Sequence, residues 1–480
     1  MNLARRIYRL SPNQYSAETI AVTFAKTSRS PEPFDRIAAE LDAEKSSKFS
    51  EKWIVGYGHS SVAEHAVLHL ALENISRLAI ETIEGNRLAS YTEKSTRYQE
   101  WNPDAWVLPP EIEASRFAEK YRGLMRLLFQ SYAEATEALR AWCEEVTERL
   151  PEESEKAWQN RARVKAVDVA RFFLPAASMA NVGVTINARA LEYAIKKLLS
   201  SELEEVRQIG REVKTVATQE LPTLVKYANP IESLAGIRAC FRTEAARVAA
   251  EPEGEWCQLL GAEPAGEDQV LAAALLRFGE RSYSECLAHV RSLGAGEKSA
   301  LVEALFAQLS DFDVPLRELE YAHYDFDLVM DQGAYFEFKR HRMMTQTPQA
   351  LTTRLGYAIP KAMSQAGVEG LYRQAMNEAA RLYEELWEFH PEAASYVVPN
   401  GYNRRVLCRL NLRELFHFTR LRASENAHFS IRRIALRMAE QASRAHPLFC
   451  EKLSLPDGET AESLGEAFFT DVSAKPDCAG

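Results

Sequence analysis

"LPAASMANVGVTINARALEYA" (174–194) and "VPNGYNRRVLCRLNLRELFHF" (398–418) decide how this 480-residue chain is organised. In each, a proline is followed twelve residues later by Asn-x-Arg-x-Leu: Pro175 and Asn187, then Pro399 and Asn411. The two occurrences stand 224 residues apart. A second pair, "EHAVLHLALENISRLAIETIEGNRLASYTEKSTRY" (64–98) and "EYAHYDFDLVMDQGAYFEFKRHRMMTQTPQALTTRLGY" (320–357), stands 256 apart. The elements come in the same order both times, which is the mark of a tandem duplication. The unequal offsets mean that the first copy carries roughly thirty extra residues between its two elements.

The extra piece lies within residues 111–150. Tyr121, Leu124, Leu127 and Leu128 recur there at helical spacing, so it reads as a long helical arm. Residues 370–390 are its shorter equivalent. "AVLHLALENI" (66–75) and "HYDFDLVM" (323–330) alternate as half-buried strands do. "INARALEYAIKKLLS" (186–200) and "LNLRELFHFTRLRAS" (410–424) read as amphipathic helices. The expected class is α/β or α+β, with residues 1–250 as the first repeat and 251–455 as the second. The charged Pro/Gly segment "AAEPEGEW" (249–256) marks the boundary. Residues 456–480 form an acidic tail that should be loosely ordered.

Net charge is −10, which argues against a general nucleic-acid polymer partner. It leaves room for a small phosphate ligand held by local arginines. No run of about 18 apolar residues is present, so no membrane span is expected. The N-terminal stretch lacks an apolar secretion segment. The seven cysteines form no C-x-x-C, and a reduced, cytoplasmic protein without a cysteine metal site is the simplest reading. His65 and His69 beside Glu64 invite a metal reading. In an alternating strand the two would share a face, but no third ligand cluster accompanies them, so no metal is expected.

Arg340, His341 and Arg342 stand side by side after an aromatic run. Such a cluster calls for something anionic among its side chains. In the first copy, "GNRLASYTEKSTR" (85–97) places Ser90, Ser95 and Arg97 at matching intervals. Here the sequence resembles the flavin-dependent thymidylate synthases, whose signature is R-H-R-x-x-S-x-N-x-x-S-x-R after a strand beginning Glu-His. The first copy has Glu64-His65, Arg87, Ser90, Ser95 and Arg97, but Gly85-Asn86 for the leading pair and Thr92 for the asparagine. The second copy keeps Arg340-His341-Arg342 and has Thr345 at the first serine. Its register then slips by two after Thr347-Pro348, ending on Arg354. Residues 411–432 resemble the family's C-terminal N-x-R-x-x-x-x-F-x-x-L-R…A-Q-x-E-I-R segment. The first copy has Leu198 where the second has Arg422.

In that family the site lies between subunits. One subunit gives the triplet that contacts FAD and a late arginine on the uracil ring. The other gives E-x-S-x-R, and an arginine four residues before the proline, for the dUMP phosphate. The resemblance therefore implies two tandem copies of that fold: a mixed sheet flanked by helices, with the long arm. It assigns Glu93, Ser95, Arg97 and Arg171 to the phosphate, and Glu337 to the nucleotide, where the family often has glutamine. His65, Arg340, His341, Arg342, Asn411 and His417 fall to the cofactor, and Arg422 to catalysis at the ring. Ser395 stands where the second copy's phosphate arginine would be. Each half keeps what the other lost, so one composite site is expected.

The implied reaction is reductive methylation of dUMP to dTMP, with methylenetetrahydrofolate and NADPH as co-substrates and FAD as carrier. The chain would act as a homodimer that mimics the family tetramer. Two alternatives stand beside this. One is a flavin-dependent methylase or hydroxymethylase of another pyrimidine nucleotide, motivated by Thr92, Glu337 and the slip. The other is a catalytically decayed flavin- or nucleotide-binding homologue.

Overall fold

The computed structural model describes residues 5–28, 30–52, 60–249, 254–310 and 313–477. Half of the boundary segment expected at 249–256 (residues 250–253) lies outside them. The chain forms two compact units, and their division is not that of the repeats. One is drawn from Met1–Lys94, Ala105–Ala118 and Ala177–Ala250; the other from Ser95–Asp104, Glu119–Ala176 and Glu251–Gly480. Two segments of the first copy therefore fold with the second.

The first unit holds strands β1 (Val67–Ser76), β2 (Ala89–Glu93) and β3 (Met179–Asn187), in the order β1-β3-β2. The second holds β4 (Cys257–Ala262), β5 (His323–Asp331), β6 (Thr345–Pro348), β7 (Tyr357–Pro360), β8 (Asn403–Asn411) and β9 (Phe469–Ala474). Its main sheet runs β4-β5-β8-β6, and β7 pairs with β9. The β5-β8-β6 order repeats β1-β3-β2, with β4 added at one edge. All strand pairs among the described residues are antiparallel, so the sheets are not of mixed direction.

The repeated motifs are element boundaries. Ser76 ends β1 and caps the helix Arg77–Glu84; Asp331 ends β5 and caps Gln332–Phe338. Asn187 ends β3 and takes the Ala190 amide (2.9 Å); Asn411 ends β8 and takes the Glu414 amide (2.8 Å). Asn-x-Arg-x-Leu is thus an N-cap and first helical turn, opening Ala188–Leu199 and Leu412–Arg422. The arginine of each motif pairs with the glutamate of its own copy: Arg189 with Glu64 at 2.6 Å, Arg413 with Glu320 at 2.9 Å.

Alternation along β5 turns Tyr324, Phe326, Leu328 and Met330 into the core of the second unit, where Phe338, Phe418 and Ile431 join them. Asp325 and Asp327 face the other way and pair across the sheet with Arg409 and Arg405. The arm is a 29-residue helix, Ala118–Val146, followed by Glu155–Ala170. Within the second unit the two repeat prolines, Pro175 and Pro399, form an antiparallel bridge. Ala176 N–H donates to the Val398 carbonyl (3.0 Å) and Asn400 N–H to that of Leu174 (2.9 Å). Equivalent positions meeting in this reciprocal way is the pattern of a two-fold contact.

The tail departs from expectation. Thr460 caps a helix, Ala461–Phe468, and β9 follows it onto β7. Ala461 and Leu464 enter the core, and Phe468 stacks on Phe429 with centroids 5.0 Å apart. The acidic composition concealed one apolar stripe long enough to hold the segment down.

Candidate functional site

Arg171 follows directly on the helix Glu155–Ala170, in a single 3-10 turn, Arg171–Phe173. It is 1% exposed. Its guanidinium lies over the first turn of Gln332–Phe338, where a Cβ on Gly333 would sit 3.3 Å from Arg171 Nη2 and 2.9 Å from Asp331 Oδ1. Glycine makes that close approach possible. Asp331 is fully buried; burial pushes its carboxyl up, while Ser430 and Arg171 oppose the shift.

One carboxylate links the two copies inside this unit. Glu337 Oε1 takes Arg171 Nη1 (3.4 Å) and Nη2 (3.5 Å), and Glu337 Oε2 takes Arg422 Nη1 (3.2 Å). These contacts are longer than the usual 2.7–2.9 Å of charge-assisted bonds, so Glu337 is loosely held. The Nε of Arg171 is buried with no acceptor among the described residues. A buried guanidinium with spare donors, at the end of a helix and facing a loose carboxylate, suits an incoming oxyanion.

His341 is buried and orients the second arginine. Arg422 Nε–H donates to His341 Nε2 (3.0 Å), so Nε2 carries no proton. His341 Nδ1 then donates to Glu414 Oε1 (2.9 Å). The imidazole is neutral: burial pulls its pKa down, Arg422 and His417 add to this, and Glu414 resists it. The anion expected beside the Arg-His-Arg triplet is thus partly supplied by the chain itself. Burial also lowers Arg422, offset by Glu337 and reinforced by Arg340 and Arg97.

Arg97 is gripped by Asp168 through Nε (2.9 Å) and Nη2 (2.9 Å), and Arg97 Nη1 reaches the Asn426 carbonyl (3.2 Å). Burial would lower its pKa, but the Asp168 fork outweighs that and the net shift is upward. His428 Nε2–H donates to the Asp168 carbonyl (3.1 Å), while Nδ1 accepts the Ser430 amide (3.2 Å). Burial and the nearby Arg171 and Arg97 drive the His428 pKa well down, so it too is neutral.

The unit therefore brings together Arg97, Arg171, Glu337, His341 and Arg422. Ser95 accepts the Arg97 amide (3.2 Å) and shapes that turn. Asn411 spends its side-chain oxygen on the helix cap. His417 is exposed, its ring 5.5 Å from that of His341. Arg340 is exposed and Arg342 half-buried. Two residues fall in the first unit. Glu93 has a buried side chain paired with Arg77 at 3.1 Å. His65 closes a short 3-10 helix before β1, against Phe24 (4.9 Å), so it does not share a strand face with His69. Among the described residues no cluster of three His, Cys, Asp or Glu could hold a metal.

Sequence reading missed Asp168, Glu414, His428 and Asp331. Glu414 stood three residues after Asn411, and His428 stood in the A-Q-x-E-I-R stretch at the glutamine. Asp168 carried no signal, because its partner lies 71 residues away. The second copy's own phosphate elements are dispersed. Arg354 forks to Glu384 (2.9 and 2.7 Å) and lies 4.6 Å over Trp387. Ser395 is buried, bonding to the Leu351 carbonyl at 3.4 Å.

For a flavin, the donor set fits: two arginines flank a neutral imidazole, and its pyrophosphate and ring edge need fixed donors. Burial pushes Cys143 and Cys450 up to about 11 and Cys257 to about 12.

The sequence model described as "thymidylate synthase complementing protein" matches twice, at residues 10–223 and 258–448. A UPF0159 protein of Chlamydia muridarum is 31% identical over 437 residues, 87% of this chain and 82% of its own. The UPF0159 protein Ta1429 of Thermoplasma acidophilum is 26% identical, covering 85% of this chain and 88% of its own. A flavin-dependent thymidylate synthase of Clostridium tetani is 26% identical over 233 residues, 48% of this chain but 88% of its own. The full-length relatives are thus double-length proteins, while the flavin-dependent synthase aligns with half. With both copies matched, the chain belongs to the thymidylate synthase complementing protein family, in a tandem-duplicated form.

Proposed function

We propose that this protein is a flavin-dependent thymidylate synthase in which the two copies share one composite site. The observation that carries this reading is that Arg171, from the first copy, and Arg422, from the second, converge on one carboxylate. Arg171, Arg97 and Ser95 hold the phosphate of dUMP. Arg422 lies against the pyrimidine and stabilises negative charge on the ring. His341 fixes Arg422, and Glu414 fixes the His341 tautomer. Arg340, His341, Arg342, Asn411 and His417 face the cofactor. When bound there, FAD would supply the hydride chemistry, with NADPH as reductant and methylenetetrahydrofolate as methylene donor. Glu93 and His65 stand outside this reading, being committed in the first unit. With both copies in one chain, a homodimer has the copy number of the family tetramer. The free cysteines among the described residues suit a reducing cytoplasm.

A second reading rests on Glu337. Arg97 is already matched by Asp168, and Arg171 and Arg422 share Glu337, so a nucleotide phosphate must displace or neutralise Glu337. A carboxylate only accepts hydrogen bonds, which suits a base carrying an amino group. Purified protein loaded with FAD and assayed with dUMP and dCMP separates the two. Turnover of dUMP with one FAD per chain is expected. Turnover of dCMP alone would establish the second reading, and two equivalent flavins per chain would overturn the composite site.

A further inference from the structure

The helix Phe429–Ala445 carries four arginines; Arg444 is exposed, and two of the other three are matched. Arg432 pairs with Glu459; Arg437 pairs with Glu255 and Glu440, both at 3.2 Å. The third, Arg433, makes no hydrogen bond and no ion pair among the described residues, and its Nε is buried. Its guanidinium lies 3.8 Å over the Trp256 ring. A Cβ on Gly465, in the tail helix, would lie 3.4 Å from that Nε. Stacking on an aromatic face compensates part of the desolvation of a guanidinium, but it satisfies none of its N–H donors. Arg433 as a whole is half-buried, and a cation with a buried donor is ordinarily paired. Burial pulls Arg433 down to about 10, partly offset by Asp331, whose carboxylate is already engaged by Ser430 and the Ala334 amide.

Arg433 lines an open pocket of about 610 Å³ that the tail borders, together with Trp256, Arg437, Glu462, Glu466 and Asp471. That volume is of small-ligand size. Its lining carries both signs: Arg433, without an ion pair among the described residues, the paired Arg437, and three carboxylates from the tail. We infer that this cavity is a second binding site, separate from the one at Arg171 and Arg422, for a small molecule with an oxyanion at one end and N–H donors at the other. The oxyanion takes the Arg433 donors, and the amino end meets the tail carboxylates. The tail is thus a wall of a ligand site.

Calorimetric titration of the full chain with 2-aminoethyl phosphate and with inorganic phosphate tests this, with Trp256 emission, identified by W256F, as a second readout. Saturable binding of 2-aminoethyl phosphate is expected, about tenfold or more tighter than phosphate. R433Q should weaken it about tenfold or more. If R433Q fails to fold, G465D serves: it places a carboxylate beside Nε, and should raise the melting temperature while abolishing binding. No saturable binding at millimolar concentration overturns the proposal, as does unchanged affinity in G465D. Phosphate binding as tightly as 2-aminoethyl phosphate would refute the donor-bearing end. Binding that survives R433Q but is lost in R171Q belongs to the nucleotide site and also overturns it. Failure of dUMP turnover leaves this result unaffected.

Discussion

Glu414, His341 and Arg422 in the second copy correspond in repeat position to Ala190, Asn86 and Leu198 in the first. The same scaffold supports a hydrogen-bonded chain in one unit and an apolar and capping set in the other. Asn86 turns back on its own helix, Nδ2 donating to the Ile83 carbonyl at 2.8 Å. Leu198 is buried and its Cβ would lie 2.9 Å from a Cβ on Gly210, so two helices close tightly there. Strand order, caps and the Glu–Arg pair persist in both copies, while the Glu414–His341–Arg422 chain stands in one. Duplication has kept the fold twice, because packing tolerates a leucine at the position where the second copy places Arg422.

The comparison breaks most decisively at Arg422. Arg422→Leu copies the first repeat and should lower turnover about hundredfold or more, the scale of losing one preorganised electrostatic donor. It should also destabilise the chain by roughly 3 kcal/mol, since Glu337 and His341 lose a buried partner. Steady-state kinetics and urea unfolding measure the two effects. Retained turnover would return Arg422 to an ordinary structural arginine.

Glu414→Ala copies Ala190. It removes the acceptor that holds His341 in its Nδ1–H form, and kcat should fall about tenfold with an altered pH profile. Glu414→Gln, which still accepts a hydrogen bond, should recover part of it. A loss equal in both variants and independent of pH would reduce Glu414 to packing. Glu337→Gln removes the negative charge between two arginines. The KM for dUMP should drop about tenfold if the carboxylate competes with phosphate. A rise in KM instead would favour a substrate that donates to Glu337.

His341 and His428 both have folded pKa values depressed below about 6.5. Below that pH the unfolded chain takes up protons that the native state refuses, so native stability falls as pH drops. The slope is at most about 1.4 kcal/mol per pH unit for each histidine. Melting temperatures between pH 7.5 and 5 should decline less steeply in a His341→Asn, His428→Asn double variant. Parallel curves would show that neither histidine is held neutral. The smallest effect belongs to the first copy: Asn187→Ala removes a helix cap and should cost about 1 kcal/mol with turnover unchanged. A loss of turnover there would mean that the first copy's helix start still serves the site.

Much of this was legible in order of residues. The repeat, both strand sets, the helices after Asn187 and Asn411, and the arm follow from periodicity and turn chemistry, which act over a few residues. The Arg97, Arg171, His341 and Arg422 positions came from spaced motifs. The tail was misread because Ala461, Leu464 and Phe468, apolar side chains in an acidic segment, stabilise it only through the core and Phe429.

The sequence alone determined the duplication and which arginines each copy retained, since both are written in local spacing. Only the tertiary structure decided that residues 95–104 and 119–176 fold with the second copy, and that Arg171 and Arg422 meet at Glu337. It also decided that His341 is neutral and that Arg433 makes no ion pair among the described residues. The physical reason is range. Caps and amphipathic faces are set by neighbours three or four residues away, whereas burial and charge pairing depend on groups brought close by the whole chain.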